Sequence, residues 1–195
     1  LEPEDAFLMR TVEDALRFKD RLKKNDIKHA VVIGASMAGI KVVEVLHKYG
    51  IETWLLDLAS YIFPLAAYKE VAKEIEKRVE AQGVHLMFGV TIDHMEKENG
   101  EKVAVLTDGS RIPADIVGLC IGTRAITETV QGEVEITRGI VVDDHMRTSV
   151  PGIYAAGDCT VSVDMLDGSK KIIALWPNAV AQGRVAGSQL AGGDL

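Results

Sequence analysis

The sequence predicts an α/β fold, a doubly wound parallel sheet carrying an inserted antiparallel meander, followed by a shorter tract of different character. Three observations carry this expectation. Apolar-rich runs at 30–33, 51–57 and 116–121 suit strands buried on both faces, and stretches of helical period lie between them. The dipeptides Asn99-Gly100 and Asp108-Gly109 are two-residue hairpin signals flanked by alternating segments. Glycine follows the elements where a chain reversal is needed, at Gly34, Gly50, Gly83 and Gly122.

The elements follow in order. Thr11-Val12-Glu13-Asp14 has the form of a capping box, with Val12, Ala15, Leu16 and Leu22 at helical spacing, so a helix should run to about Lys24. Ala30-Val31-Val32-Ile33 is a buried strand that ends at Gly34. From Gly39, the residues Val42, Val43, Leu46 and Tyr49 share one helical face until Gly50 stops it. Residues 51–57 form the next strand. A helix over 68–82 turns Val71, Ala72, Ile75 and Val79 inward and ends at Gly83, before a strand at 84–88. Segments 91–97 and 102–106 build the meander, and 116–121 is one more buried strand. Beyond about Thr127 the sequence supplies two short strands, 139–142 and 152–155, a loop, and one helix over 177–190. Those elements are too few to close a core of their own and should pack on something else.

Composition narrows the class. With 47% hydrophobic and 26% charged residues in 195, the chain is globular, and disorder is excluded. A net charge of −7 argues against nucleic acid and against anionic membrane as partners. No apolar run approaches the ~20 residues needed to span a bilayer. Cys120 and Cys159 match neither a zinc site nor a redox Cys-x-x-Cys pair, which favours a reducing, cytoplasmic setting. The five histidines are scattered, and no metal site is expected. The chain opens on Leu1 and reads as a piece of something longer.

The sharpest motif is Gly34-Ala35-Ser36-Met37-Ala38-Gly39, set between a buried strand and a helix. A dinucleotide fingerprint needs one Gly for the turn, one for approach to pyrophosphate and one for helix–strand packing. Ser36 replaces the second. It is small, and its hydroxyl could donate to a phosphate oxygen, while the helix N-terminus offers free N–H groups to the anion. Asp57 closes the next strand 23 positions after Gly34, near the ~20 expected of a ribose-binding acid. It would repel the 2′-phosphate of NADP, and Leu58-Ala59-Ser60 brings no Arg to offset that. A Rossmann-like site preferring NAD(H) over NADP(H) is therefore expected. The alternative is a glycine turn that only eases packing.

The second tract carries a resemblance. Gly139-Ile140-Val141-Val142-Asp143, then Arg147-Thr148-Ser149-Val150-Pro151-Gly152-Ile153-Tyr154-Ala155-Ala156-Gly157-Asp158-Cys159, closely resembles the flavin-binding signature of the pyridine nucleotide-disulfide oxidoreductase superfamily. Thr11-Val12-Glu13-Asp14-Ala15 is similar to that family's entry into its NAD domain, and Ile121-Gly122-Thr123-Arg124 to its exit. Ala174-Leu175-Trp176-Pro177-Asn178-Ala179-Val180-Ala181-Gln182-Gly183 is similar to its helix beside the flavin ring. The branch most resembled holds NADH oxidases, coenzyme A-disulfide reductases, nitrite reductase flavoproteins and rubredoxin or ferredoxin reductases.

The resemblance implies residues 1–12 as a connecting segment, 13–126 as an NAD(H)-binding domain and 127–195 as the second segment of a split FAD-binding domain. It implies an NADH-dependent FAD oxidoreductase in which hydride passes to flavin and on to an acceptor the sequence does not identify. The implied cofactor-binding residues are Gly34, Ala35, Ser36, Met37, Ala38, Gly39, Asp57 and Gly122 for NADH, with Gly157, Asp158 and Ala179 for FAD. No side chain is needed as a catalytic acid or base. Neither Cys120 nor Cys159 is assigned a redox role, since buried cysteine usually behaves as a small hydrophobe. The first flavin segment and the interface domain of a homodimer would lie elsewhere in the parent protein, so this piece alone is expected to be inactive and not to retain FAD. One departure is Lys41, where relatives carry a Glu close to flavin and nicotinamide. The rival reading is a dinucleotide-sensing module without turnover.

Overall fold

The computed structural model describes residues 5–130 and 132–193, and divides into two compact units, one ending at Gly122 and one beginning at Thr123. Leu1–Glu4, part of the expected connecting segment, lie outside the described residues.

The first unit is built on a five-stranded sheet, β1 (Ala6–Leu8), β2 (His29–Ile33), β3 (Glu52–Asp57), β4 (His85–Phe88) and β8 (Ile116–Leu119). Their spatial order is β1-β8-β2-β3-β4, and every neighbouring pair is parallel. Parallel neighbours need crossovers, supplied by α1 (Val12–Leu22), α2 (Met37–Lys48) and α3 (Lys69–Glu80). Side chains alternate across each strand. Ala30, Val32, Leu55 and Ile116 join Phe18, Leu22, Val42, Leu46 and Ala72 of the helices in one core cluster. Val31, Leu56 and Val117 point the other way, onto Ala104, Leu106 and Ile112 of a meander formed by β5 (Ile92–Glu98), β6 (Glu101–Leu106) and β7 (Arg111–Pro113). The meander thus occupies the face where a symmetric doubly wound sheet carries its second set of helices. Each fully buried Leu or Val contributes about 1.5–3 kcal/mol relative to exposure.

Local signals set the element ends. Thr11 accepts from the Asp14 N–H at 3.1 Å, and the Asp14 carboxylate accepts from the Thr11 N–H at 3.1 Å, closing the expected capping box. Asn99 and Gly100 adopt φ of 52° and 88° in the β5–β6 turn, as a type I′ hairpin turn requires. The sequence missed β1. Three residues carry no periodicity, yet Phe7 is fully buried and meets Phe18 edge-on at 5.1 Å between ring centroids.

The second unit contains β9 (Ile140–Val141), β10 (Thr160–Val163), β11 (Lys170–Lys171) and α4 (Trp176–Leu190). β9 runs parallel to β10, and β11 is antiparallel to it. The strand expected at 152–155 is absent. The tract makes one bridge, Arg147 to Tyr154, because the turn at Pro151-Gly152, with Gly152 at φ +80°, folds it back on its own upstream residues. β10 replaces the expected loop. Four residues, Thr-Val-Ser-Val, give too short an alternation to separate strand from loop, and pairing with β9 and β11 makes it one. Val134, Ile140, Val142, Met146 and Ala186 form a small core, so these elements do close one of their own, against expectation.

Candidate nucleotide site

At the C-terminal end of the parallel sheet, β2 gives way to α2 through the glycine turn. Gly34 sits at φ +106°, and a Cβ there would meet the Cys120 carbonyl oxygen at 2.3 Å. A Cβ on Gly39 would meet the Gly34 carbonyl oxygen at 1.9 Å. Both contacts are with backbone that cannot yield, so both positions demand glycine. Ser36 is the N-cap of α2, its hydroxyl accepting from the Gly39 N–H and lying 3.4 Å from the Cys120 carbonyl oxygen. Its hydroxyl therefore serves the helix first, while the remaining first-turn N–H groups have no intrahelical acceptor.

A cleft of about 690 Å³ opens over this turn. Gly34, Ser36, Met37, Ala38, Asp57 and Gly122 all line it. Ala35 and Gly39 are buried behind the turn and act through packing and backbone. Asp57 holds the turn directly. Its Oδ2 accepts from the Ala35 N–H at 2.7 Å, and Oδ1 accepts from the Ala59 N–H at 2.8 Å. A carboxylate has about four lone-pair sites, so two acceptor positions remain for a ligand.

The sequence missed the opposite wall, Leu58, Phe63, Pro64, Leu65 and Ala66, which is mostly apolar. It also missed Arg10, whose guanidinium donates to the Gly122 carbonyl at 3.4 Å. Lys41 does not line the cleft. It pairs with Glu44 at 2.8 Å, and Lys48 pairs with the same carboxylate, which holds the Glu44 pKa down to about 2. Cys120 borders the cleft, and burial pushes its thiol pKa up, away from reactivity.

In the second unit, Gly157 adopts φ +88° at the end of the Tyr154-Ala155-Ala156 tract, and a Cβ there would lie 3.7 Å from the Ala179 Cβ on α4. Asp158 stands exposed beside it. Gln182, one turn along α4 from Ala179, was missed. It is only 7% exposed, and its Oε1 accepts from the Gly157 N–H at 2.7 Å and from the Thr160 hydroxyl at 3.1 Å. A lone amide among small residues on a helix face was the available signal. A larger cavity of about 970 Å³ lies in this unit, between Val141, Met146, Ile173 and Gln182. It lacks a glycine turn opening a helix, which leaves the cleft of the first unit as the candidate nucleotide site. Asp143, Asp144 and His145 bring ligand-type atoms within 4.8 Å of one another, but Asp143 already accepts from the His145 and Arg147 N–H groups, as a turn-forming Asp does. Among the described residues no helix is long and apolar enough to cross a membrane.

Known proteins resemble this chain over most of its length. The model of the pyridine nucleotide-disulphide oxidoreductase family matches residues 2–183. NADH oxidase of Streptococcus pyogenes serotype M6 is 32% identical over 179 residues, covering 90% of this chain and 39% of that protein. Rubredoxin-NAD(+) reductase of Pseudomonas putida is 28% identical over 188 residues, 94% of this chain and 48% of its own. Among solved structures, the water-forming NADH oxidase of Lactobacillus brevis bound to NADH superposes with a TM-score of 0.88 at 26% identity, over 100% of this chain and 43% of that one. The chain thus spans less than half the length of these relatives. The stretch that the family model matches contains the glycine turn, the acid tied to it and the parallel sheet, and the chain belongs to the pyridine nucleotide-disulphide oxidoreductase family.

Proposed function

We propose that this chain comprises the NADH-binding domain and the second flavin segment of an NADH-dependent FAD oxidoreductase. The observation that carries the reading is the convergence of Gly34, Ser36, Met37, Ala38, Asp57 and Gly122 on one cleft. The α2 N-terminus would receive the pyrophosphate, which needs backbone donors and a favourable dipole. Asp57 would accept from the adenosine ribose hydroxyls. Gly122, without a side chain, would leave room for the nicotinamide at the far end of the cleft.

The second unit fits FAD by its own chemistry. Gly157 gives backbone access, its N–H is fixed by Gln182, and the exposed Asp158 carboxylate is free to accept from a ribityl hydroxyl. FAD, when bound, accepts hydride from NADH and passes the electrons on. The protein's share is to bind and orient, so no catalytic acid or base is assigned. The reading includes the first flavin segment and an interface domain of a homodimer as partners within the parent protein, and a cytoplasmic setting suited to two free thiols. It includes no nucleic acid or membrane partner.

Equilibrium titration by nucleotide fluorescence tests the site. NADH should bind at least about tenfold more tightly than NADPH, a ratio that requires only about 1.4 kcal/mol of repulsion between Asp57 and a phosphate dianion. Equal affinities would sink the assignment of Asp57. The 195-residue chain should bind NADH yet lose FAD on desalting, because the pyrophosphate also needs donors from the first flavin segment, each worth about 1.5–3 kcal/mol. In the parent protein, NADH should bleach the flavin absorbance anaerobically. NADH binding without bleaching would favour a sensing module.

A further inference from the structure

Among the described residues four other than glycine have positive φ, Asn25, Phe63, Asn99 and Met146, and the two asparagines are of the type that tolerates it. Phe63, at φ +54°, is not. A bulky side chain in the left-handed region is strained, and such strain persists only where surrounding structure enforces it. Here it is enforced on both sides. Ile62 is fully buried, and its N–H donates to Glu76 Oε1 at 3.0 Å. The Phe63 carbonyl accepts from the Ala66 and Ala67 N–H groups, each at 2.9 Å.

The left-handed step aims the Phe63 N–H at the Ala35 carbonyl, to which it donates at 2.9 Å. The Ala35 N–H donates in turn to Asp57. Ala35 is therefore gripped at both backbone groups by the segment that follows β3. Fixing the Ala35 carbonyl also fixes the plane of the Ala35–Ser36 peptide, and with it the direction of the Ser36 N–H at the mouth of α2. Residues 63–66 continue along the cleft wall to Leu65, which is fully exposed.

We propose that Phe63 is a positioning residue for the dinucleotide. It acts through its backbone, by holding the glycine turn in the orientation that presents N–H groups to pyrophosphate. This inference rests on the NADH reading above.

The test is a substitution series at Phe63 measured by NADH titration, with thermal melts confirming that each variant is folded at the assay temperature. Tolerance of left-handed backbone runs Gly, then Ala, then Val, the reverse of their apolar size. Phe63→Gly and Phe63→Ala should bind NADH within about twofold of the unsubstituted chain, and Phe63→Val at least about tenfold more weakly. A second readout needs no ligand. The Ser36 amide shares a peptide plane with the Ala35 carbonyl, so its 1H–15N signal should move in Phe63→Val and stay near its parent position in Phe63→Gly. Affinity that falls with side-chain size, or stays flat across the series, overturns the proposal. Parent protein that binds no NADH overturns the nucleotide reading instead, while the Ser36 signal still decides whether Phe63 sets the turn.

Discussion

The two units solve the same problem, closing a core around parallel strands, with different means. In the first, five strands share two continuous apolar layers, and the glycines sit where backbone touches backbone. In the second, strands of two to four residues are supplemented by side chains that bond the main chain. Ser149 bridges the Glu135 N–H and the Glu133 carbonyl, and Gln182 joins Gly157, Thr160 and Ser162. Its α4 glycines, Gly183 and Gly187, have no neighbour within 4 Å of where a Cβ would stand. Two hydrophobic layers thus dominate the first unit, while the second adds a set of polar side chains to a small apolar core. Exposed Leu175 and Trp176 at the start of α4, and Met165 and Leu166 in the β10–β11 loop, mark surface that this unit leaves unfilled.

That contrast can be broken most sharply at Asp5. It is 2% exposed and bonds both Arg21 of α1 and Lys102 of β6, tying helix, edge strand and meander together. Asp5→Ala takes from Lys102 its carboxylate and from Arg21 one of two, Asp26 being the other, and should cost about 3–4 kcal/mol in urea unfolding, by analogy with broken buried ion pairs. A loss below 1 kcal/mol would mean that the apolar layers alone hold β1. Next is Gly39→Ala, which drives a methyl into the Gly34 carbonyl and should cost about 3 kcal/mol, with loss of NADH binding. A neutral effect would show that the turn can open.

In the second unit the decisive substitution is polar. Gln182→Leu strands the Gly157 N–H and removes the donor to the buried Ser162 hydroxyl, while the Thr160 hydroxyl keeps the Gly157 carbonyl, and should destabilise by about 2 kcal/mol. Hydrogen exchange should report that loss at Gly157 and Thr160, while β2 and β3 keep their protection. The smallest effect has the opposite sign. Gly183→Ala should stabilise α4 by about 0.5–1 kcal/mol, because a mid-helix glycine is unfavourable where no close approach requires it. A destabilised variant would reveal a neighbour that packs against this face in solution.

Legibility followed the same divide. In the first unit β2, α2, β3 and α3 were legible because each announces itself locally, through an apolar run, a cap or a terminal glycine. Gly34 and Asp57 could be paired from spacing alone, since a strand–helix–strand unit returns the chain to the adjacent strand end. In the second unit the apolar run at 139–142 marked β9, whereas β10, at four residues, is too short for its alternation to stand out from loop until β9 pairs with it.

The sequence by itself determined the parallel α/β architecture, the glycine turn and the acid beside it, because periodicity, capping and glycine requirements act within a few residues. The tertiary structure alone decided that helices take one face of the sheet and the meander the other. It also decided that Asp57 and Phe63 grip the same residue of the turn, and that Gln182 reaches back to Gly157. Those relations depend on which backbone groups long-range packing leaves facing each other, and a linear pattern of side chains does not encode that directly.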